Sequence, residues 1–203
     1  LTAEQLKAYR NDGCIVVENV IDVATRSAML RQVDAWVSAA KGVATHDNVY
    51  DLEPTHTPQQ PRVRRVKKPH ALAPLFWDVL KSEPLLGILK QILGANIRLH
   101  GSKLNIKAPR YGAPVEWHQD WAFYPHTNDD LLAVGMMLED TSEANGAMLF
   151  LPALSWPNIV LKPSRCTGRE RIRSPSGDST FTTSAPMSAS KRLQCGPAMV
   201  VEK

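Results

Sequence analysis

Apolar positions recur at two different spacings along this chain, and the change of spacing divides it. From Val23 to Ala40, Met29, Val33, Trp36 and Val37 repeat at helical intervals, with Asp22 placed as an N-cap and Gly42 as a stop. Helical spacing returns around 73–82 and 84–93 and ends at Gly94. The opening "LTAEQLKAYRNDG" also predicts a short helix, because Thr2 and Gln5 stand at capping-box spacing and Gly13 can take the left-handed closing conformation. Beyond residue 96 the alternation shortens to the period of a strand. "IRLHGSKLNIK" (97–107), "VEWHQD" (115–120), "LLAVGMMLE" (131–139) and "EANGAMLFLP" (143–152) each have strand length, the last with an Asn-Gly turn. "CIVVENV" (14–20) is a further β-rich run, and "CGPAMVVEK" (195–203) reads as one last strand. Residues 43–62, with three prolines and little periodicity, read as a loop. Helices first and antiparallel strands afterwards predict an α+β fold whose sheet forms a sandwich or jelly roll.

Composition changes this picture mainly after Pro152. Residues 153–203 are rich in Ser, Arg and Pro, with Trp156 and Phe181 as their only aromatics, and such a segment buries little apolar surface. The expected division is therefore a folded part over 1–152 and a divergent, poorly ordered tail over 153–203. The formal charge of +4 is mild and gives no reason to expect nucleic acid. Much of the local excess lies in "RVRRVKK" (62–68), whose Val63 and Val66 predict a segment packed on the body with its charges outward. A phosphate-bearing ligand is the alternative use of such a run. Three well-separated cysteines, Cys14, Cys166 and Cys195, suggest free thiols and a cytoplasmic location. No apolar run approaches the roughly 20 residues that span a bilayer, so no membrane association is expected.

The candidate chemistry sits in "VEWHQDWAFYP" (115–125). On a strand, His118 and Asp120 would project from one face, supplying an imidazole and a carboxylate, two of the three ligands of a facial iron site. A structural His–Asp pair on a sheet is the plain alternative. The other histidines, His46, His56, His70, His100 and His126, stand at no ligand spacing and read as surface or structural residues.

"SKLNIKAP" (102–109), "VEWHQDWAFYPHTNDDLLAVGMMLED" (115–140) and "ANGAMLFLP" (144–152) together closely resemble the phytanoyl-CoA dioxygenase family. The opening "LTAEQLKAYRNDGCIVVENVID" is similar to the family's start, so the resemblance covers about 1–152. It implies a double-stranded β-helix, cupin-like and preceded by helices, that uses Fe(II) and 2-oxoglutarate to hydroxylate a small molecule or acyl group. It also implies that the strand carrying "SKLNIK" lies beside the metal strand. Under the resemblance His118 and Asp120 hold the metal, Asn105 and Lys103 contact 2-oxoglutarate, and Trp121 walls the substrate. For the lysines of that strand a solvated edge remains the other reading, and the aromatics after Asp120 also suit a core.

One part of the family pattern is missing. Its third ligand is a distal His, followed by an Arg that binds the far carboxylate of 2-oxoglutarate, yet the last His here is His126. Where the family continues "LPGSH-x-GP", this chain reads "LPALSWP". Codons for Ala-Leu-Ser-Trp-Pro read one base later can give Leu-Ser-His-Gly-Pro. A shifted frame, a divergent splice form or a faulty gene model would produce this break, and the genomic sequence tests it. The β-helix is accordingly expected to be incomplete at its C-terminal end. Two further readings follow: an inactive family member lacking the distal His and Arg, or a cupin-like binding module without iron.

Overall fold

The computed structural model describes residues 1–107, 115, 118, 120, 123, 130–142 and 146–150, together with the backbone of 193–202. Helix α1 (Ala3–Asp12) is closed at both ends as the sequence predicts. The Thr2 hydroxyl accepts from the Gln5 N–H, the Gln5 side chain accepts from the Thr2 N–H, and Gly13 takes φ 77°. Helix α2 (Val23–Ala39) starts at Asp22, whose carboxylate accepts the Thr25 N–H at 2.8 Å. Those hydrogen bonds hold the Asp22 carboxyl below the usual aspartate range. Three more helices follow: α3 (Pro69–Leu72), α4 (Pro74–Leu80) and α5 (Glu83–Leu93). Each has proline in its first turn, where the missing N–H costs nothing.

Strands β1 (Tyr50–Leu52), β2 (Val63–Lys67), β3 (Arg98–Lys107), β4 (Leu131–Gly135) and β5 (Leu193–Glu202) form one sheet in the order β1-β2-β3-β5-β4. Every neighbouring pair is antiparallel. The stretch read as a last strand is therefore β5, and it fills the position between β3 and β4. A register irregularity against β1 between Val63 and Arg65 lets Val63 and Val66, three residues apart, both turn inward. Val63, Val66, Leu104 and Ile106 are buried with Met29, Val33, Phe76, Val79, Leu85 and Leu89 of the helices in one core. Burying each such side chain is worth about 1.5–3 kcal/mol. The opposite face of the same strands carries Arg65, Lys67, Lys103 and Asn105, with Asp51 next to Arg65 on β1.

Several expectations need correction. The run 14–20 joins no sheet among the described residues: Asn19 turns the backbone to φ 59°, and Ile15 and Val20 pack on the core instead. The loop read over 43–62 contains β1, a strand too short to show a period. Val115 and His118 lie outside any strand, and Asp120 begins a turn in which its carbonyl accepts the Phe123 N–H at 2.9 Å. A turn at that point cannot continue a ladder, so the partners of β3 are β2 and β5 and not the segment of His118. Gly146 takes φ 88° as the Asn-Gly turn requires, but residues 147–150 form no strand. The predicted disorder of 153–192 lies outside the described residues. Among the described residues no helix is long and apolar enough to cross a membrane.

Candidate metal and cosubstrate site

His118 and Asp120 stand close together at the start of the turn that Asp120 opens. His118 Nε2 lies 3.6 Å from Asp120 Oδ1, with both side chains largely buried at 21% and 17% exposure. The Phe123 ring stands edge-on to the imidazole, centroids 5.3 Å apart. The turn thus achieves what strand alternation was expected to achieve, bringing the two donors to one side by a different backbone path. Among the described residues no group of three or more His, Cys, Asp and Glu side chains gathers as a metal site.

Lys103 on β3 lies within electrostatic range of Asp120. Burial lowers its ammonium pKa from 10.5; Asp120 opposes that shift and Arg65 adds to it. Two residues along the same face, Asn105 accepts a hydrogen bond at Oδ1 from Arg65 Nε, 3.2 Å away. Arg65 Nη1 also donates to Asp51 Oδ2 at 3.3 Å, and Lys67 Nζ binds the other Asp51 oxygen at 2.8 Å. A cleft of about 300 Å³ opens alongside, lined by His46, Asp51, Arg64 and Arg65. Of the predicted site residues, Lys103 and Asn105 share this face of β3, and His118 lies beside Asp120. Trp121 lies outside the described residues.

Arg65 is the residue the sequence did not mark. It belongs to the basic run read as a solvated face, and two of that run's cations, Arg65 and Lys67, in fact share the face of Lys103 and Asn105. The signal lay in Val66: burying it turns its neighbours Arg65 and Lys67 to the opposite face. Two of the other described histidines bond the backbone. His56 accepts the Arg62 N–H at Nδ1 and bonds the Val43 carbonyl through Nε2, while His46 Nδ1 accepts the Leu52 N–H.

The phytanoyl-CoA dioxygenase (PhyH) profile matches residues 9–153. The chain belongs to this family. Over 150 residues it is 43% identical to a probable alpha-ketoglutarate-dependent hypophosphite dioxygenase of Stutzerimonas stutzeri, covering 74% of this chain and 52% of that protein. An ectoine dioxygenase of Bordetella parapertussis is 27% identical over 157 residues, covering 75% of this chain and 49% of the other. The chain thus spans about half the length of these curated relatives. Among solved structures, iron-bound EctD from S. alaskensis matches with a TM-score of 0.69 at 16% identity, covering 100% of this chain and 76% of that one. AviO1 from Streptomyces viridochromogenes Tue57 matches with a TM-score of 0.70 at 14% identity, covering 99% and 94%. At these identities the likeness is one of fold.

The donor chemistry present suits the iron such a family implies. An imidazole and a carboxylate are among the donors of a facial non-haem iron site, and cis ligands at first-row metal bond lengths sit about 3 Å apart. His118 Nε2 and Asp120 Oδ1, 3.6 Å apart, are donors of these two types close to that spacing.

Proposed function

We propose that this chain carries the metal- and cosubstrate-binding part of a non-haem Fe(II)/2-oxoglutarate-dependent dioxygenase that hydroxylates a small organic or acyl substrate. The observation that carries the reading is the approach of His118 Nε2 to Asp120 Oδ1 beside Lys103, in a member of this family. The fold is proposed to be a cupin-like double-stranded β-helix, here represented by the five-stranded sheet. Its folded part is residues 1–152, with β5 added from a divergent segment over 153–203.

When bound, the iron couples oxidative decarboxylation of 2-oxoglutarate to oxygen insertion into the substrate. The chain's own residues prepare for that chemistry. Neutral His118 offers its Nε2 lone pair and Asp120 its carboxylate, so together they offset one of the metal's two positive charges. Lys103 places a cation where an anionic cosubstrate needs one, at a half-buried position where screening by water is reduced. Asn105 supplies amide donors to a carboxylate. Trp121, next to Asp120 in sequence, is proposed to wall the substrate. The named substrates of the relatives, hypophosphite and ectoine, are small and polar, and the cationic face is consistent with a substrate of that kind.

A second reading has its own observation. No His follows His126, so the third imidazole of the family's triad is not among these residues. An inactive member holding the ligand weakly would result. Titration of the purified chain with Mn(II), an oxygen-inert stand-in, separates the two. The dioxygenase reading expects Mn(II) binding that 2-oxoglutarate strengthens and that His118→Ala abolishes. Weak binding that His118→Ala leaves unchanged would refute it and favour the inactive form.

A further inference from the structure

The cationic run at 62–68 does not end as surface charge: Arg65 spans two site-facing polar groups, Asn105 on β3 and Asp51 on β1. We propose that Arg65 is a positioning residue that fixes the side-chain amide of Asn105 so that its donor end faces an anionic cosubstrate. The proposal rests on the assignment of Asn105 to 2-oxoglutarate made above.

An asparagine amide presents two chemically different ends. One end accepts hydrogen bonds and the other donates two. Arg65 Nε is a donor and occupies the acceptor end, Oδ1, at 3.2 Å. Reversing the amide would set its NH2 against the N–H of Arg65, donor against donor. The orientation in which the NH2 turns away from Arg65 is therefore favoured, and that end is the one a carboxylate needs.

Arg65 is itself held. Its Nη1 donates to Asp51, and Asp51 is gripped from its other oxygen by Lys67, whose ammonium also bonds the Asp47 carbonyl at 2.8 Å. The chain of contacts Lys67–Asp51–Arg65–Asn105 crosses three adjacent strands, so the amide's setting is tied to the sheet. Asp51 answers two cations at once, which leaves positive charge in excess on this face. A lysine in place of Arg65 would keep the charge but has a single ammonium and lacks the planar fork that reaches both partners.

This role is distinct from a structural one. The Arg65 side chain is 34% exposed, and the packing of β2 is carried by Val63 and Val66 on the opposite face. Ion pairs of such exposure contribute little to stability.

The test measures the affinity of the Mn(II)-loaded full chain for 2-oxoglutarate by calorimetry. The variants are Arg65→Met, Arg65→Lys, Asn105→Ala and the double variant Arg65→Met/Asn105→Ala, with thermal melts to verify folding. Arg65→Met and Arg65→Lys are both expected to weaken binding about tenfold, as loss of an outer partner of a ligand-binding residue does. The double variant should bind no more weakly than Asn105→Ala alone, because Arg65 acts through Asn105. Wild-type affinity in Arg65→Met, full rescue by Arg65→Lys, or additive losses in the double variant would overturn the positioning role while leaving the site intact. Unchanged affinity in Asn105→Ala, or no binding by the unmodified chain, would overturn the underlying assignment and this inference with it.

Discussion

The two faces of the β2–β3 pair are built from the same seven or so alternating positions and do opposite work. On one face Val66 and Leu104, cross-strand partners, are both fully buried against the helices. On the other, the neighbouring partners Arg65 and Asn105 exchange a hydrogen bond, and Lys67 stands opposite Lys103. Like charges directly opposite on a sheet are unfavourable. Asp51 offsets Lys67, and the charge of Asp120 favours the Lys103 ammonium, so the polar face draws on carboxylates from β1 and from the turn that Asp120 opens. One face is specified by volume and the other by charge. Stability should therefore respond to changes on the first and ligand affinity to changes on the second.

The most severe way to break that division is on the packed face. Leu104→Ala removes a side chain with 0% exposure and should cost about 2–5 kcal/mol, read as a large fall in melting temperature. A loss under about 1 kcal/mol would show that the core relaxes around it and that the division by volume is wrong. On the other face, Lys103→Met removes a half-buried cation whose burial is unfavourable. Stability should change by no more than about 1 kcal/mol, since an apolar replacement removes the desolvation cost, while affinity for 2-oxoglutarate falls. Equal affinity in Lys103→Met would remove Lys103 from the site.

The smallest effect sharpens the boundary between the helices and the packed face. His70 hydrogen-bonds Ser102 of β3 and lies beside Trp77. Burial first, and Lys68 second, lower its pKa below 6.5. The unfolded chain therefore binds a proton more readily than the folded one. The stability that neutral His70 provides is present above pH 6.5 and is lost as pH falls through the lower, folded value. Melting temperatures of the unmodified chain should drop more than those of His70→Gln between neutral pH and about pH 5. Parallel curves would remove His70 from that balance.

Much of this was legible in the residues. The capping box at Thr2, the N-cap at Asp22 and the closing glycines Gly13 and Gly94 are local chemistry, and local chemistry decides helix ends. β3 could be read because of its length and the alternation of Lys103, Leu104, Asn105, Ile106 and Lys107 at its end. The strand expected around His118 failed for a different reason. Its apolar and polar residues alternate, but pairing is a long-range matter, and β5 from 193–202 takes the place beside β3 that the segment was expected to hold. His118 and Asp120 were singled out by type and spacing, and they lie 3.6 Å apart on a different backbone path. Arg65 was overlooked because a run of cations looks alike from either side until the burial of its valines fixes which way each charge points.

The central claim is that the polar face of β3 and the turn of His118 and Asp120 form one site. Mn(II) added in substoichiometric amounts to the isotopically labelled chain tests it, because a bound paramagnetic ion broadens the nearest amide signals first. The account predicts early loss of the signals of Lys103, Leu104 and Asn105, with those of α2 around Val33 persisting, and no such loss in His118→Ala. Broadening centred elsewhere, or an unchanged pattern in His118→Ala, would contradict it.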